Sequence, residues 1–275
     1  MNKKQSKIQL LKNVVNSVTS TARIPTMVKM VLRERGIDTK GSLSSEENLS
    51  WLQSNVTDFS LIASQRSPDL WNETEEFYNH FKPIAEKITS DAERQVGYHL
   101  GGGGYYPFLY FITRSLKPEC VVETGVATGY SSQAFLKAMS INGKGRLFSS
   151  DFPMFRLTDP EKYIGIVVDD DLRSDWNLFL EGDEVNLPLI LESAKRVDIF
   201  HYDSYKSYKG RAWATSLLEP RMNEHSFLVI DDIQDNSFFH DYVAEKDKAE
   251  WMVFAFENKY VGLVGQVDEL ISVNE

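Results

Sequence analysis

The sequence predicts an α/β fold in which a seven-stranded, mostly parallel sheet is covered by helices on both faces. Three observations support this prediction. Seven short apolar runs recur after residue 118, segments of helical periodicity lie between most of them, and acidic residues follow several of the runs. Short strands that alternate with helices are typical of parallel sheets buried on both sides. The seven runs are residues 120–123, 146–150, 177–180, 197–201, 227–230, 251–256 and 260–264.

The first 95 residues carry a different pattern, which predicts mostly helices. Residues 70–78 are amphipathic at helical spacing, and Ser67-Pro68-Asp69 is a helix-start signal. We therefore expect two parts, a helical N-terminal region over residues 1–95 and a sheet-containing domain over residues 96–275.

The formal net charge of −10 is unevenly distributed along the chain. Residues 1–40 contain nine Lys or Arg residues against two acidic ones, a local charge of +7, so the remaining residues carry −17. An acidic body of this kind argues against nucleic acid as its partner, because phosphates would be repelled. The basic segment has apolar residues at helical spacing. It could contact an anionic membrane surface, a partner, its own domain or a second subunit.

Composition also bears on the compartment. The single cysteine, Cys120, cannot form an internal disulfide, which fits a reducing environment. No apolar stretch approaches the roughly 20 residues that a membrane span needs. We therefore expect a cytoplasmic protein without a membrane span.

Four consecutive glycines, Gly101 to Gly104, precede the apolar run 108–112. Ordering four glycines costs much conformational entropy, so they indicate a hinge or a close approach of the backbone to a ligand. A flexible linker is the alternative.

A glycine turn over residues 123–132 follows the first apolar run and precedes a helical segment. This strand-turn-helix arrangement is typical of Rossmann-like cofactor sites, because glycines let the backbone pass close to a ligand and the N–H groups of the helix start face it. The pattern here is E-x-G-x-x-x-G, whereas a turn that admits a dinucleotide pyrophosphate normally reads G-x-G-x-x-G. The carboxylate of Glu123 favours a cofactor with an ammonium group and a sulfonium, S-adenosylmethionine, over a nicotinamide dinucleotide. The alternative is an ordinary strand-to-helix connection that binds no ligand.

Acidic residues at the ends of three other strands are candidates for chemistry. Asp151 follows the second strand, where an acid can accept hydrogen bonds from ribose hydroxyls. Asp203 follows the fourth strand and Asp231-Asp232 the fifth, and these three carboxylates could form a hard-oxygen site suited to Mg²⁺. Lys206 lies three residues beyond Asp203 and is a candidate base. The alternatives are a surface lysine for Lys206 and a helix-capping pair for the two aspartates.

Together these motifs resemble those of class I S-adenosylmethionine-dependent methyltransferases, over roughly residues 96–265. The turn is similar to the first motif of that family, whose glycine-rich part holds the methionine end of the cofactor. Asp151 falls at the position of the ribose acid, and Gly182-Asp183 resembles the segment that flanks the adenine. The resemblance implies cofactor binding by Glu123, Gly125, Gly129, Ser131, Asp151, Gly182 and Asp183.

The spacing of Asp203 and Lys206 resembles that of a metal ligand and the catalytic lysine in catechol and caffeoyl-CoA O-methyltransferases. Those enzymes usually carry Asp-Asn after the fifth strand. The pair Asp231-Asp232 is more similar to metal-dependent sugar O-methyltransferases of antibiotic pathways. The resemblance implies Asp203, Asp231 and Asp232 as ligands of Mg²⁺ or a similar divalent cation, with Asp203 and Lys206 as catalytic residues.

These observations predict a Mg²⁺-dependent O-methyltransferase that acts on a hydroxyl of a small polar acceptor, such as a sugar, a glycosylated metabolite or a phenol. Residues 1–95 would supply a lid, the acceptor pocket or the contact of a homo-oligomer. Two alternatives remain from the residues alone. One is a nicotinamide-dependent oxidoreductase on a similar sheet, and the other is a cofactor-binding protein without turnover.

Overall fold

The computed structural model describes residues 12–16, 18, 23–24, 26–28, 41–267 and 270. Most of the basic segment 1–40 therefore lies outside the described residues. Within residues 41–267 the α-helices are α1 (Ser45–Asn55), α2 (Phe59–Arg66), α3 (Pro68–Val96), α4 (Tyr106–Leu116), α5 (Tyr130–Asn142), α6 (Asp183–Ser193), α7 (Tyr208–Leu218) and α8 (Phe238–Val243). The strands are β1 (Cys120–Thr124), β2 (Arg146–Ser150), β3 (Trp176–Phe179), β4 (Ile199–Tyr202), β5 (Phe227–Ile230), β6 (Trp251–Phe256) and β7 (Lys259–Val264).

The seven strands form one sheet in the order β3-β2-β1-β4-β5-β7-β6. The first five are parallel, and β7 runs antiparallel to both β5 and β6. The predicted fold class, including the number of strands, is confirmed. Strands β2, β5 and β6 match the predicted runs, and the ends of the other four strands differ from the prediction by one or two residues. Pairing of Thr124 with Ser150 and with Tyr202 extends β1 and β4 toward the carboxyl edge.

Side chains of consecutive residues in the central strands lie on opposite faces of the sheet. Val121 and Ile199 pack in one apolar cluster with α4 and α5, whereas Val122 and Phe200 pack in the other with α6 and α7. The side chains of a strand alternate between faces, so a strand covered on both sides must be apolar throughout. This requirement is why these strands are recognisable as continuous apolar runs.

The N-terminal helices pack onto one edge of this sheet. Ser44 caps α1 through a capping box with Glu47, and Leu52 of the same helix is fully buried against the β6 side. Helix α3 lies against α4, where Phe77 stacks on Tyr110 with ring centroids 4.3 Å apart. The predicted helical character of this region is confirmed for residues 45–96. Among the helices that the structure describes, none has the length and apolar composition needed to cross a membrane.

Candidate active site

The glycine turn joins β1 to α5 and lies against the end of β4. Gly125 has a φ of +82°, and a Cβ atom added there would overlap the carbonyl oxygen of Asp203. Gly129 has a φ of +101°, and a Cβ atom there would come within 2.8 Å of the Gly165 Cα. Both positions therefore require glycine for backbone conformation and for space. The turn therefore packs directly against the backbone that follows β4.

A cavity of about 260 Å³ opens beside this turn at the carboxyl edge of the sheet. Such crevices, where the strand order reverses between β1 and β4, are where open α/β sheets bind ligands. The walls combine the turn, the ends of β2, β3 and β4, and the loop after β2. Among the residues that line it are Gly125, Ala127, Asp151, Phe152, Tyr163, Gly182, Asp183, Tyr202, Asp203, Tyr205 and Trp213.

Asp151 lies on the floor of the cavity directly after β2. One carboxylate oxygen accepts hydrogen bonds from the backbone N–H groups of Val126 and Ala127, at 2.9 and 2.7 Å, and the other accepts one from Phe152. The pKa of Asp151 is raised to about 7 by burial in the first place and by the charge of Asp183, although these N–H donors act in the opposite direction. The carboxyl group is thus held by the turn and is poised between its two protonation states.

Gly182 and Asp183 form the opposite wall after β3. Asp183 accepts a hydrogen bond from Ser150 at 2.6 Å and another from Ser204, and its burial raises its pKa. Gly182 has a φ of +89° and faces Thr26 of the N-terminal region. This wall therefore joins residues that are far apart in sequence.

Glu123 lies beneath the turn and does not line the cavity. It is completely buried, and its Oε2 atom accepts hydrogen bonds from Ser132 at 2.6 Å and Ser149 at 2.7 Å. Its Oε1 atom has no hydrogen-bond partner among the described residues and lies 3.8 Å from Nδ1 of His201, which is also buried. Of the seven predicted cofactor residues, Gly125, Asp151, Gly182 and Asp183 line the cavity, whereas Glu123, Gly129 and Ser131 shape the turn behind it.

The second predicted constellation converges beside the same cavity. One carboxylate oxygen from each of Asp203, Asp231 and Asp232 lies within 4.8 Å of the others; these three residues are called the acidic cluster below. Lys206 Nζ lies 2.8 Å from Asp203 Oδ1 and also contacts Asp232. Asp203 lines the cavity as well, so the acidic cluster and the cavity share this residue.

The electrostatics of the cluster follow from its burial. Asp231 is 1% exposed, and neither of its carboxylate oxygens has a hydrogen-bond donor among the described residues. The pKa of Asp203 is raised to about 6 by burial and by the charge of Asp231, against the lowering effect of Lys206. Carboxylates packed this closely require cations to compensate them.

Two cationic residues that the sequence analysis missed lie at this cluster. Lys259 Nζ is 3.6 Å from Asp231 Oδ2 and 3.4 Å from Asp232. Arg211 of α7 is fully buried and donates to the backbone carbonyls of Asp231 and Asp232 at 3.1 and 2.8 Å. The signal for Lys259 was available, because an antiparallel last strand must begin at the carboxyl edge. No pattern marked Arg211.

The four glycines run along the mouth of the site. All four have positive φ, and the carbonyl of Gly101 accepts a hydrogen bond from Thr128 at 2.9 Å. A Cβ atom added at Gly104 would lie 3.6 Å from Asp231 Oδ2. The segment thus brings bare backbone against both the turn and the acidic cluster.

Residues of the N-terminal region cover the cavity from outside. Thr26 lines it, and the buried side chain of Arg23 pairs with Glu181 at 2.7 Å and with Glu161 at 3.2 Å. The Arg23 guanidinium also lies 5.9 Å from the centre of the Phe152 ring. Arg23 therefore ties together the loops that follow β2 and β3.

A family model described as a methyltransferase domain matches residues 122–233. The match covers less than half of the chain, and over that range the chain is similar to a methyltransferase domain. The matched range begins in β1 and ends just after the acidic pair, so it contains the glycine turn and the whole acidic cluster. The match favours the predicted methyltransferase over the nicotinamide-dependent alternative. Lys259 and the N-terminal region of the chain lie outside the match.

Solved structures share the fold of this chain at low sequence identity. Cofactor-bound Rv0187 from MTB is 9% identical, with a TM-score of 0.52 over 67% of this chain and 88% of its own. A putative caffeoyl-CoA O-methyltransferase from Staphylococcus aureus is 11% identical, with a TM-score of 0.50 over 70% of this chain and 98% of its own. None of the curated proteins gives a significant match to the chain.

Proposed function

We propose that this protein is an S-adenosylmethionine-dependent O-methyltransferase that also requires Mg²⁺ or a similar divalent cation and acts on a small polar acceptor such as a sugar, a glycosylated metabolite or a phenol. The observation that carries the proposal is the position of Asp203, which lines the cavity beside the glycine turn and also belongs to the acidic cluster. A methyl donor in the cavity and an acceptor hydroxyl at the cluster would therefore be neighbours.

Cofactor binding is assigned to the residues around the turn. S-adenosylmethionine supplies an activated methyl group on its sulfonium. Asp151 would accept hydrogen bonds from the ribose hydroxyls, and Gly182 with Asp183 would border the adenine. Gly125 and Gly129 let the backbone approach the ligand, while Glu123 and Ser131 support the turn from behind.

The acidic cluster fits a hard divalent cation. Its donors are carboxylate oxygens, and both oxygens of Asp231 are buried without a hydrogen-bond donor among the described residues. Asp203, Asp231 and Asp232 would hold the cation. A bound cation would act as a Lewis acid that orients the acceptor hydroxyl and lowers its pKa.

Lys206 is the candidate for proton transfer. Its Nζ atom lies against Asp203 and Asp232, at the edge of the cavity where the acceptor would enter. In its neutral form it would take the hydroxyl proton while the acceptor oxygen bonds to the methyl carbon and the carbon–sulfur bond breaks. Asp203 acts on the same step by holding Lys206 in place.

Two further parts of the proposal rest on sequence. The basic segment 1–40 is a candidate contact for a homo-oligomer, and residues 1–95 for the lid and the acceptor pocket. Cytoplasmic localisation stays a prediction from the cysteine content.

Calorimetric titration with S-adenosylhomocysteine, with and without Mg²⁺ and with NADH as a control, tests the cofactor assignment. We expect micromolar binding of S-adenosylhomocysteine and none of NADH. Failure to bind S-adenosylhomocysteine under both conditions would refute the proposal.

Methyl transfer to a panel of sugars and phenols, with and without chelator, tests the metal and the catalytic residues. Asp203→Ala and Asp232→Ala should abolish metal-stimulated turnover and leave the affinity for S-adenosylhomocysteine within a few-fold. Asp171→Ala, which removes an exposed acid away from the cluster, is the matched control. Turnover that survives both substitutions and is indifferent to chelator would show that the reaction does not use the acidic cluster.

A further inference from the structure

Lys259 is the first residue of β7, and the topology explains why it reaches the acidic cluster. The strand β7 is antiparallel to β5, with Ile230 paired to Gly262. The start of β7 therefore lies at the same edge of the sheet as the end of β5, where Asp231 and Asp232 follow. Lys259 therefore lies outside the sequence motifs that contain Asp203, Asp231 and Asp232.

The contacts of Lys259 are with the carboxylates that would hold a cation. Its Nζ atom lies 3.6 Å from Asp231 Oδ2 and 3.4 Å from both oxygens of Asp232. Lys206 contacts Asp232 from the other side and Asp203 beyond it. Asp232 is thus the member of the cluster that both lysines touch.

The balance of charge is consequently unusual for a cation site. Three carboxylates face two ammonium groups within 4 Å, and buried Arg211 lies behind the backbone of Asp231 and Asp232. An ammonium group this near the ligand oxygens repels a divalent ion and must give up its contacts when the ion binds. The side chain of Lys259 is 35% exposed, so it has room to withdraw.

We infer that Lys259 is a positioning residue that sets the affinity of the acidic cluster for its divalent cation. It acts as an internal cation, which holds Asp231 and Asp232 in place before the metal arrives and then competes with it. This inference rests on the proposed metal dependence. It predicts that the protein binds its metal more weakly than three carboxylates alone would.

The test is titration of the full chain with Mn²⁺ in the presence of saturating S-adenosylhomocysteine. Lys259→Met should bind Mn²⁺ roughly 5- to 20-fold more tightly than wild type at low ionic strength, because the competing charge is gone. Lys259→Arg should stay within about twofold of wild type, since the charge is kept. Lys195→Met, which removes an exposed lysine away from the cluster, should have no effect.

Ionic strength separates electrostatic competition from a structural role. The gain in Lys259→Met should shrink in 0.5 M KCl, because salt screens the interaction of a partly exposed charge. A structural change would persist in salt. Unchanged melting temperature and unchanged affinity for S-adenosylhomocysteine would show that the variant is folded.

The outcomes distinguish the two claims. If wild type binds Mn²⁺ and Lys259→Met binds it equally or more weakly, the inference about Lys259 is wrong and the metal proposal stands. If neither protein binds Mn²⁺ while both bind S-adenosylhomocysteine, both claims are wrong. Binding by Lys259→Met alone would support the inference in its strongest form.

Discussion

Asp151 combines a polar role with a buried position, and its ionisation should control cofactor affinity. Its pKa of about 7 reflects burial first, opposed by the backbone N–H groups of the turn and reinforced by the charge of Asp183. Ribose hydroxyls would donate to the ionised carboxylate, so binding requires deprotonation. Affinity for S-adenosylhomocysteine should therefore rise as the pH rises through 7, by about tenfold between pH 6 and pH 8. Calorimetry across this range measures it.

Substitution of Asp151 supplies the control for that profile. Asp151→Asn should lose roughly 1–3 kcal/mol of binding free energy at pH 8, because charge-assisted hydrogen bonds are lost. Its pH profile between 6 and 8 should be flat. If Asp151→Asn kept the pH dependence of the affinity, the titrating group would be another residue. If its affinity for S-adenosylhomocysteine were unchanged, the ribose hydroxyls would bind another residue.

Gly125 offers a second test at the level of a single residue. A Cβ atom there would overlap the backbone of Asp203, whereas one at Gly97 would meet nothing within 4 Å. Both glycines have positive φ, +82° and +67°. Gly97→Ala should cost about 1 kcal/mol of unfolding free energy from conformation alone. Gly125→Ala should cost at least twice that, because the ends of β1 and β4 must separate. Urea denaturation of the two variants gives the comparison, and equal losses would contradict it.

Individual residues differ in how far sequence could place them. Asp203, Asp231 and Asp232 were predictable as neighbours, because parallel strands bring their carboxyl ends to one edge. The position of Glu123 was not, since the last residue of a strand can face the ligand or the interior. The pairing of its carboxylate with Ser132 and Ser149 depends on packing that no local pattern encodes.

At the scale of elements, the strands were predictable because each is buried on both faces and therefore apolar. The sequence analysis did not identify which strands run antiparallel to the rest. The last two runs, residues 251–256 and 260–264, look like the others, yet they form an antiparallel hairpin. The short connection was the available signal, because a parallel crossover needs a dozen or more residues. Overlooking the reversal is what hid Lys259.

The N-terminal covering of the cavity gives a prediction at this scale. Arg23 links the loops after β2 and β3 through Glu161 and Glu181. Arg23→Met should release this covering, so that S-adenosylhomocysteine dissociates faster and binds roughly 3- to 10-fold more weakly, which corresponds to the net contribution of about one ordinary hydrogen bond. Stopped-flow displacement measures the dissociation rate.

The control for the covering is Arg66→Met, which removes an exposed arginine at the end of α2 and should leave the rate unchanged. Arg23→Lys should keep part of the affinity for S-adenosylhomocysteine, because one of the two ion pairs can still form. An unaltered dissociation rate in Arg23→Met would mean that the covering does not retain the ligand.

For the whole molecule, one contact partly explains why a basic segment, residues 1–40, precedes an acidic remainder. The basic segment 1–40 and the acidic remainder meet where Arg23 is buried against two glutamates at the mouth of the cavity. Packing on its own domain, one of the predicted options, therefore accounts for one of the nine basic residues of that segment. Residues 1–11 and 29–40 lie outside the described part of the chain, so contact with a membrane or a second subunit stays a prediction.

The arrangement of the sheet also predicts that the two ligands stabilise the molecule through separate residues. Asp151 follows β2 and Asp232 follows β5, and β1 and β4 lie between those strands. A ligand at 100 times its dissociation constant stabilises the folded state by about 2.7 kcal/mol, which raises the melting temperature by about 5–10 °C for a chain of this size. S-adenosylhomocysteine and Mn²⁺ should each produce such a shift.

Two variants should separate those shifts. Asp151→Asn should lose most of the shift caused by S-adenosylhomocysteine and keep the shift caused by Mn²⁺, and Asp232→Ala should do the reverse. Scanning fluorimetry with each ligand alone makes the comparison. If either substitution removed both shifts, cofactor and cation would depend on one another for binding. Asp203, which borders both the cavity and the acidic cluster, would then be the residue through which they are coupled.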